Sequence, residues 1–478
     1  MLTPLPAEKW SFTSAAHLLN RAGFGGTPDE IETVQRAGLP SAVDRLLHPP
    51  NEPLEPDDSQ PWRKPEDLRT KLRALRELKS QPEERKARVR EMRMEGRDEL
   101  LDLRDWWLGR MQSSPAPLVE KLTLFWHGHF ATSAQKVKNV YWMWRQNETF
   151  RRNALGNFKT LLREISRDPA MMIYLDLAQS RESHPNENWA REVMELFTLG
   201  IGHYTEEDIR EAARAFTGYR LNLTNQQFRF APREEDRGLK KFLGQSGNFS
   251  GDDILDIIVA QPACAEWIGR KLCRFFIADD PSSPLVTAVA ASLRKNGFEL
   301  GPVLREIFTS TEFYSDQVIR SQIKSPVQFL VQSCKLLETG LPPRGVTQNA
   351  LQQMGQVLFA PPNVKGWDGG KSWISTSTLL FRYNFANYLL NGTRKEPLRP
   401  DGVERVPADL ANIIPVELRG KPTELVTHLA RRFYQSQPND KQIGTFLAYL
   451  QSRAPDRSDE TTRGLLHLMM STPPYQLT

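Results

Sequence analysis

Cysteine is scarce in this sequence. Only Cys264, Cys273 and Cys334 occur among 478 residues, widely spaced and with no C-x-x-C pair. That excludes a miniature domain built on disulfides, and apolar helical sequence around each cysteine predicts buried, reduced thiols in a reducing compartment. Long apolar runs are missing too: no stretch approaches the roughly 18 residues that would cross a bilayer. The amino-terminal segment MLTPLPAEKWSFTSAAHLLNRAGFGG has neither the basic start nor the apolar core of a signal peptide, so the expected location is the cytoplasm. An excess of one charge is lacking as well. The chain has 63 Lys and Arg against 58 Asp and Glu, a net charge of +5. Residues Arg63 to Arg104 hold 14 basic and 10 acidic residues. Mixed signs at helical spacing read as a solvated face, and nucleic-acid binding is not expected. Strand-like alternation is rare.

What is present is helical periodicity over most of the chain, with 39% hydrophobic and 25% charged residues, an ordinary globular balance. The fold class is therefore mainly α: one large multi-helical domain with a small β-hairpin and a charged helical excursion. Length alone suggests about three domains. The patterning divides the chain into an N-terminal helical segment at 1–62, the charged excursion at 63–110, a main helical body at 111–395 and a C-terminal helical segment at 396–478. Thr27-Pro28-Asp29-Glu30 reads as an N-cap with Pro at the first helical position, and Thr205 to Asp208 as a capping box. The charged stretch should form long helices broken near Gln81-Pro82. Helices are expected over Leu118–Trp126 and Val140–Asn153, with a third running from Pro185 to Gly200. Residues 219–231 predict a strand pair joined near Thr224-Asn225. Residues 340–375 read as a long loop region around a short helix, and 394–407 as a linker.

Three constellations could carry chemistry. In Trp126-His127-Gly128-His129-Phe130 the two histidines would lie about 200° apart on a continuous α-helix and could not chelate one ion. A helix that stops at Gly128, with that glycine left-handed, would let His127 and His129 converge as metal ligands. The alternative is one imidazole capping helix carbonyls while the other packs under an aromatic ring. In the run from His184 to Tyr204, Glu187, Arg191 and Glu195 form an i, i+4, i+8 row, and Glu192 borders an apolar stripe where a carboxylate needs a partner. Glu192 and Glu195 are candidate metal ligands or a general base, with Arg191 and His203 behind them; together with the two histidines they are the parts of a divalent-metal site in a helical bundle. The alternative is a solvated face laced by ion pairs. The third, Gly366 to Trp373, contains Gly-Lys-Ser, but three residues separate Gly366 from Gly370 where a phosphate loop needs four, and no strand precedes it. It remains a candidate binding loop, offering Trp367, Asp368, Lys371 and Trp373 as a lid or contact surface.

The blocks AAHLLNRAGFGGTPDE, LTLFWHGHFATS, PNENWAREVMELFTLGIGHYTEEDIREAARAFTGY, GDDILDIIVAQPACAEWIGRKLCRFF, KSPVQFL and LFAPPNVKGWDGGKSWISTSTLLFRYNF together resemble a bacterial family catalogued as domain of unknown function 1800. The resemblance runs from about residue 10 to the carboxyl terminus. It implies no fixed activity, but it does imply that relatives are often exported and that a partner could be encoded by a neighbouring gene. Relatives often carry His-Asp before a Gly-x-Lys; here Arg233 to Lys240 has no histidine. Two function classes follow: a metal-binding helical protein with hydrolytic or oxidative chemistry, or a non-catalytic scaffold or partner-binding module using the loop at 366–373.

Overall fold

Caps and prolines set most helix boundaries in the computed structural model, which describes residues 2–50, 60–65, 68–392, 407–436, 438–453 and 459–478. Thr27 and Glu30 close a reciprocal capping box at the start of helix Pro28–Ala37, and Thr205 with Asp208 does the same for helix Glu206–Ala215. Both boxes satisfy backbone donors that a helix start leaves open. Proline opens helices Pro117–His129, Pro262–Phe276 and Pro326–Leu336, where its missing N–H costs nothing.

The charged excursion is helical on both sides of its expected break. Helix Leu68–Glu77 leads through a 3₁₀ turn at Leu78–Ser80 into helix Pro82–Ser113. The first half of that 32-residue helix is solvated; its buried residues begin only at Leu103, with Trp107, Leu108 and Met111. Strands β1 (Tyr219–Asn222) and β2 (Gln227–Phe230) form the expected antiparallel hairpin. A second pair, β3 (Lys240–Phe242) with β4 (Gln245–Gly247), was not expected, because three-residue strands carry too little alternation to be seen. The short helix in the 340–375 region is Arg344–Met354. The proposed linker at 394–407 lies, apart from its last residue, outside the described residues. All three cysteines are buried, and none forms a disulfide among the described residues. No helix among the described residues is long and apolar enough to cross a membrane.

The apolar interior gathers in two large clusters. One joins Leu18, Leu122 and Trp126 to the helices between Phe158 and Phe308. The other joins Trp107, Leu124 and Met143 to Leu330, Phe385, Leu429 and Tyr475. Helix Pro117–His129 contributes to both clusters, and nearly every residue along it is buried. A helix buried on nearly every side is an interior helix. The candidate site is built on it.

Candidate functional site

Helix Pro117–His129 presents two different polar faces. Lys121, Leu124, Phe125, Gly128 and His129 follow i, i+3, i+4, i+7, i+8 spacing and line a cavity of about 200 Å³. Glu120 lies on the other side, with His127 seven residues on; the Trp107 indole donates to Glu120 at 2.9 Å and sits edge-on to the His127 ring at 5.3 Å.

The expected stop at Gly128 does not occur. The helix continues through His129, Gly128 is absent from the left-handed residues, and the cap falls at Phe130. The close approach depends on Gly366 instead: a Cβ there would stand 2.2 Å from the Gly128 carbonyl oxygen, whereas a Cβ on Gly128 would meet nothing within 4 Å. The two histidines therefore stay on opposite faces and take opposite tautomers. His127 Nε2 accepts from the Phe359 N–H at 3.0 Å, which places the proton of the neutral ring on Nδ1. His129 Nε2 donates to the Phe197 carbonyl at 3.0 Å, which leaves Nδ1 as a buried lone pair with no partner among the described residues. Burial pushes both pKa values down to about 3, with Arg104 adding to the effect at His127 and Lys271 at His129.

The carbonyl that His129 meets is supplied by a backbone irregularity. The helix expected up to Gly200 is α only over Glu187–Glu192 and becomes a π-helix at Val193–Thr198. The Leu199 N–H accordingly reaches back five residues to Met194. Such a turn leaves carbonyls for outside donors: Trp267 Nε1 donates to Leu196 at 2.9 Å beside the His129 bond to Phe197. Glu192 and Glu195 ride on this segment, both half-buried. Burial raises the Glu192 pKa, and the neighbouring Glu195 charge adds to it. Glu195 accepts from the Tyr204 hydroxyl at 3.1 Å. Arg191 forks onto Glu206 at 2.8 and 2.9 Å and stands 3.7 Å from Glu187. His203 is exposed. No group of three or more His, Cys, Asp or Glu side chains able to hold a metal ion occurs among the described residues. His127, His129, Glu192 and Glu195 thus do not make one donor set: the His127 lone pair is committed to Phe359, and the histidines diverge around the helix.

The expected binding loop lines a cavity and faces inward. Trp367, Asp368 and Trp373 line the same cavity as His129. Trp373 is only 7% exposed, so it cannot serve as a contact surface for a macromolecule. Lys371 stays exposed and is not among the lining residues. The loop is tied down by Arg274, which donates to the Asp368 carbonyl at 3.0 Å, and by Gly370, whose missing Cβ leaves room for Asp279 Oδ2.

Sequence reasoning missed the residue that gives this cavity its character. Lys121 is 8% exposed, and among the described residues its ammonium has one hydrogen-bond acceptor, Gln328 Oε1 at 2.6 Å. It lies 5.0 Å from the Phe24 ring and 5.7 Å from Phe275, and no carboxylate pairs with it among the described residues. Burial, with help from the Arg21 charge, pulls its pKa down to about 7. A relay of buried amides fixes the acceptor. Gln328 donates to Gln332 at 3.3 Å, Gln332 to Asn20 at 2.8 Å, Asn20 to Gln435 at 2.7 Å, and Gln435 to the Gly26 carbonyl at 2.8 Å. Each amide must donate forward, so Gln328 can only offer its oxygen to Lys121. Gly25, at φ +86, is required here because a Cβ would strike Gln332 and Asn20. Lys271 and Lys365 also line the cavity without an ion-pair partner among the described residues; burial lowers the Lys271 pKa, with Arg274 and Lys365 adding to the effect. Against these cations stand Asp368 and the half-buried Asp279, whose pKa burial raises although Arg21 and Arg274 oppose it.

The block that lacks the relatives' histidine has its own structural account. Asp236 binds Arg214 and the Gly238 N–H, and the buried Lys240 ammonium donates to the Asp236 and Gly238 carbonyls at 2.7 and 3.1 Å. Asp, Gly and Lys lock a turn there without a histidine.

A family model described as a protein of unknown function, DUF1800, matches residues 17–477. No curated protein and no solved structure matches the chain.

Proposed function

For this chain, which belongs to the DUF1800 family over nearly its whole length, we propose a small-molecule binding function, with an anion received in the cavity between helix Pro117–His129 and the 366–373 loop. One observation carries the reading: Lys121, Lys271 and Lys365 converge on one cavity with no carboxylate paired to any of them among the described residues. Buried or crowded cations cost free energy unless something answers their charge. A ligand carboxylate or phosphate answers it and takes up the free N–H donors. The volume of about 200 Å³ is below the usual range for drug-sized ligands, which limits the occupant to a few heavy atoms. Trp367 and Trp373 form its wall on the loop side.

Metal-dependent hydrolysis or oxidation has weaker support, because the candidate ligands are spread over separate faces. A scaffold role for the loop has weaker support too, because its tryptophans face inward.

The test is calorimetric titration of the full chain with phosphate, sulfate, acetate, oxalate and pyruvate. At least one anion is expected to bind, with affinity lowered tenfold or more in Lys271→Met and lowered by added salt. Absence of binding across the panel, or binding indifferent to Lys271, would overturn the reading.

A further inference from the structure

Lys121 differs from the other cavity cations in kind as well as in depth. Lys365 is exposed, and Lys271 rests against the Trp267 ring at 4.9 Å. Among the described residues Lys121 is held at one point by a single neutral acceptor, near two aromatic rings, at the wall of a cavity. An ammonium meant only to hold an anion gains from a nearby carboxylate or from several carbonyls that keep it charged. The amide relay gives Lys121 neither, and its fixed polarity accepts one N–H and no more. We propose that Lys121 is a nucleophilic amine that condenses with the carbonyl of a small oxo acid, whose carboxylate is held by Lys271 and Arg274 in the same cavity. This rests on the anion-binding reading and adds the carbonyl to the ligand.

The step balances without an oxidant, a reductant or a bound cofactor. The Nζ lone pair attacks the carbonyl carbon and forms a C–N bond, while the carbonyl oxygen takes up a proton to give a carbinolamine. The C–O bond then breaks and the oxygen leaves as water. Nitrogen gives up its remaining protons as the C=N bond forms. One amine and one carbonyl become one imine and one water. A neutral amine near pH 7 is what the attack needs, and burial supplies it. His129 Nδ1, a buried lone pair without a partner, and Asp279, a carboxyl with a raised pKa, line the same cavity and are the groups available to move the protons. Gln328 is a positioning residue: it acts through the Lys121 nitrogen.

The experiment traps the imine. The full chain is incubated with glyoxylate or pyruvate and cyanoborohydride across pH 6 to 10, and adducts are located by peptide mass mapping. A single adduct on Lys121 is expected, forming with a half-point near pH 7; ordinary surface lysines follow an amine pKa near about 10.4. Lys121→Met should abolish it while circular dichroism and melting report an intact fold. Lys271→Met should keep the adduct but require tenfold or more oxo acid. Gln328→Glu places a carboxylate beside the nitrogen and should raise the half-point by about one to three pH units. Labelling confined to surface lysines, unchanged in Lys121→Met, would overturn the proposal. If oxalate still binds in that case, the anion-binding reading stands and only the amine chemistry falls. If neither oxalate nor an oxo acid binds, both fall.

Discussion

Glu120 and Lys121 are consecutive residues on one helix, both nearly removed from water, in opposite circumstances. Glu120 is fully buried and receives the Trp107 indole N–H at 2.9 Å, Arg110 Nε at 2.8 Å and two N–H groups of Arg151 at 2.8 and 3.0 Å. Burial alone would raise its pKa, but Arg151 and Arg110 hold it below the ordinary value. Lys121, about 100° further round the helix, has one amide oxygen and an open cavity. A charge with its donors complete is structural. A charge left incomplete beside a cavity marks where something else is to bind, and the face of the helix decides which circumstance a residue meets.

Breaking the matched side should have the largest effect. Glu120→Ala leaves Arg151, itself 3% exposed, without its main partner, and removing one partner of a buried pair costs about 3–5 kcal/mol. Chemical denaturation should show a loss of that size. Lys121→Met uncovers only the Gln328 oxygen, worth about 1–3 kcal/mol, and removes an uncompensated charge that offsets it. A Lys121→Met loss equal to that of Glu120→Ala would erase the contrast between the two residues.

The two sides also separate along the pH axis. Lys121 titrates near 7 in the fold and near 10.5 unfolded, so between those values the unfolded chain holds the extra proton. Stability contributed by this group therefore rises with pH, by about 1.4 kcal/mol per unit over that window. Lys121→Met should flatten the rise. His127 and His129 shape the acid side. Each titrates near 3 in the fold and near 6.5 unfolded, so the unfolded chain takes up protons first as pH falls below about 6.5. Their contribution is lost progressively towards pH 3. Glu120, with a depressed pKa, adds to that acid loss, because its stabilisation fades as pH falls through its folded value. A His129→Asn variant, able to keep a donor on Phe197, should show an acid slope shallower by about one proton. Melting temperatures from pH 4 to 10 check both windows, and an unchanged basic limb in Lys121→Met would show that the lysine is not neutral in the fold.

A smaller effect should follow from cutting the relay behind the lysine. Gln332→Leu leaves the Gln328 amide and the Asn20 oxygen without partners, for about 1–3 kcal/mol. It also frees Gln328 to turn its NH₂ towards Lys121. Anion affinity should change more than the modest stability loss alone would explain, by a few-fold in calorimetry; affinity identical to wild type would reduce the relay to packing.

What could be seen in the sequence was local. Capping at Thr27 and Thr205, the break at Pro82 and the hairpin at 219–230 depend on residues within a few positions of each other, and each was predictable. The histidine pair was also visible, but reading it as convergent required the helix to stop at Gly128. The helix runs on through His129, and Gly366 comes against the Gly128 carbonyl from 238 positions away, which local pattern cannot show. The π-turn at Val193–Thr198 was hidden for the same reason, since tertiary donors from Trp267 and His129 take up its carbonyls. Lys121 left a faint signal: one of two charges in the otherwise apolar stretch PLVEKLTLFWHGH. Its neutral partner comes from Gln328, and the relay closes on Asn20 and Gln435, so the unmatched charge appears only when distant segments meet.

Gly128 offers the finest test of the contrast, because stability and binding should move in opposite directions there. It lies inside the helix, lines the cavity, and a Cβ built on it meets nothing within 4 Å. Glycine in a helix interior costs about 0.5–1 kcal/mol relative to alanine, so Gly128→Ala should stabilise the chain by up to that amount. The added methyl enters space beside Lys121 and His129 on the same helix face, in a cavity of about 200 Å³. Anion binding should weaken several-fold although every cation remains in place. If Gly128→Ala raises the melting temperature and leaves affinity untouched, the ligand lies elsewhere and the unmatched lysine needs another explanation. If it lowers affinity while the fold gains stability, the glycine has been kept for the cavity at the expense of the helix.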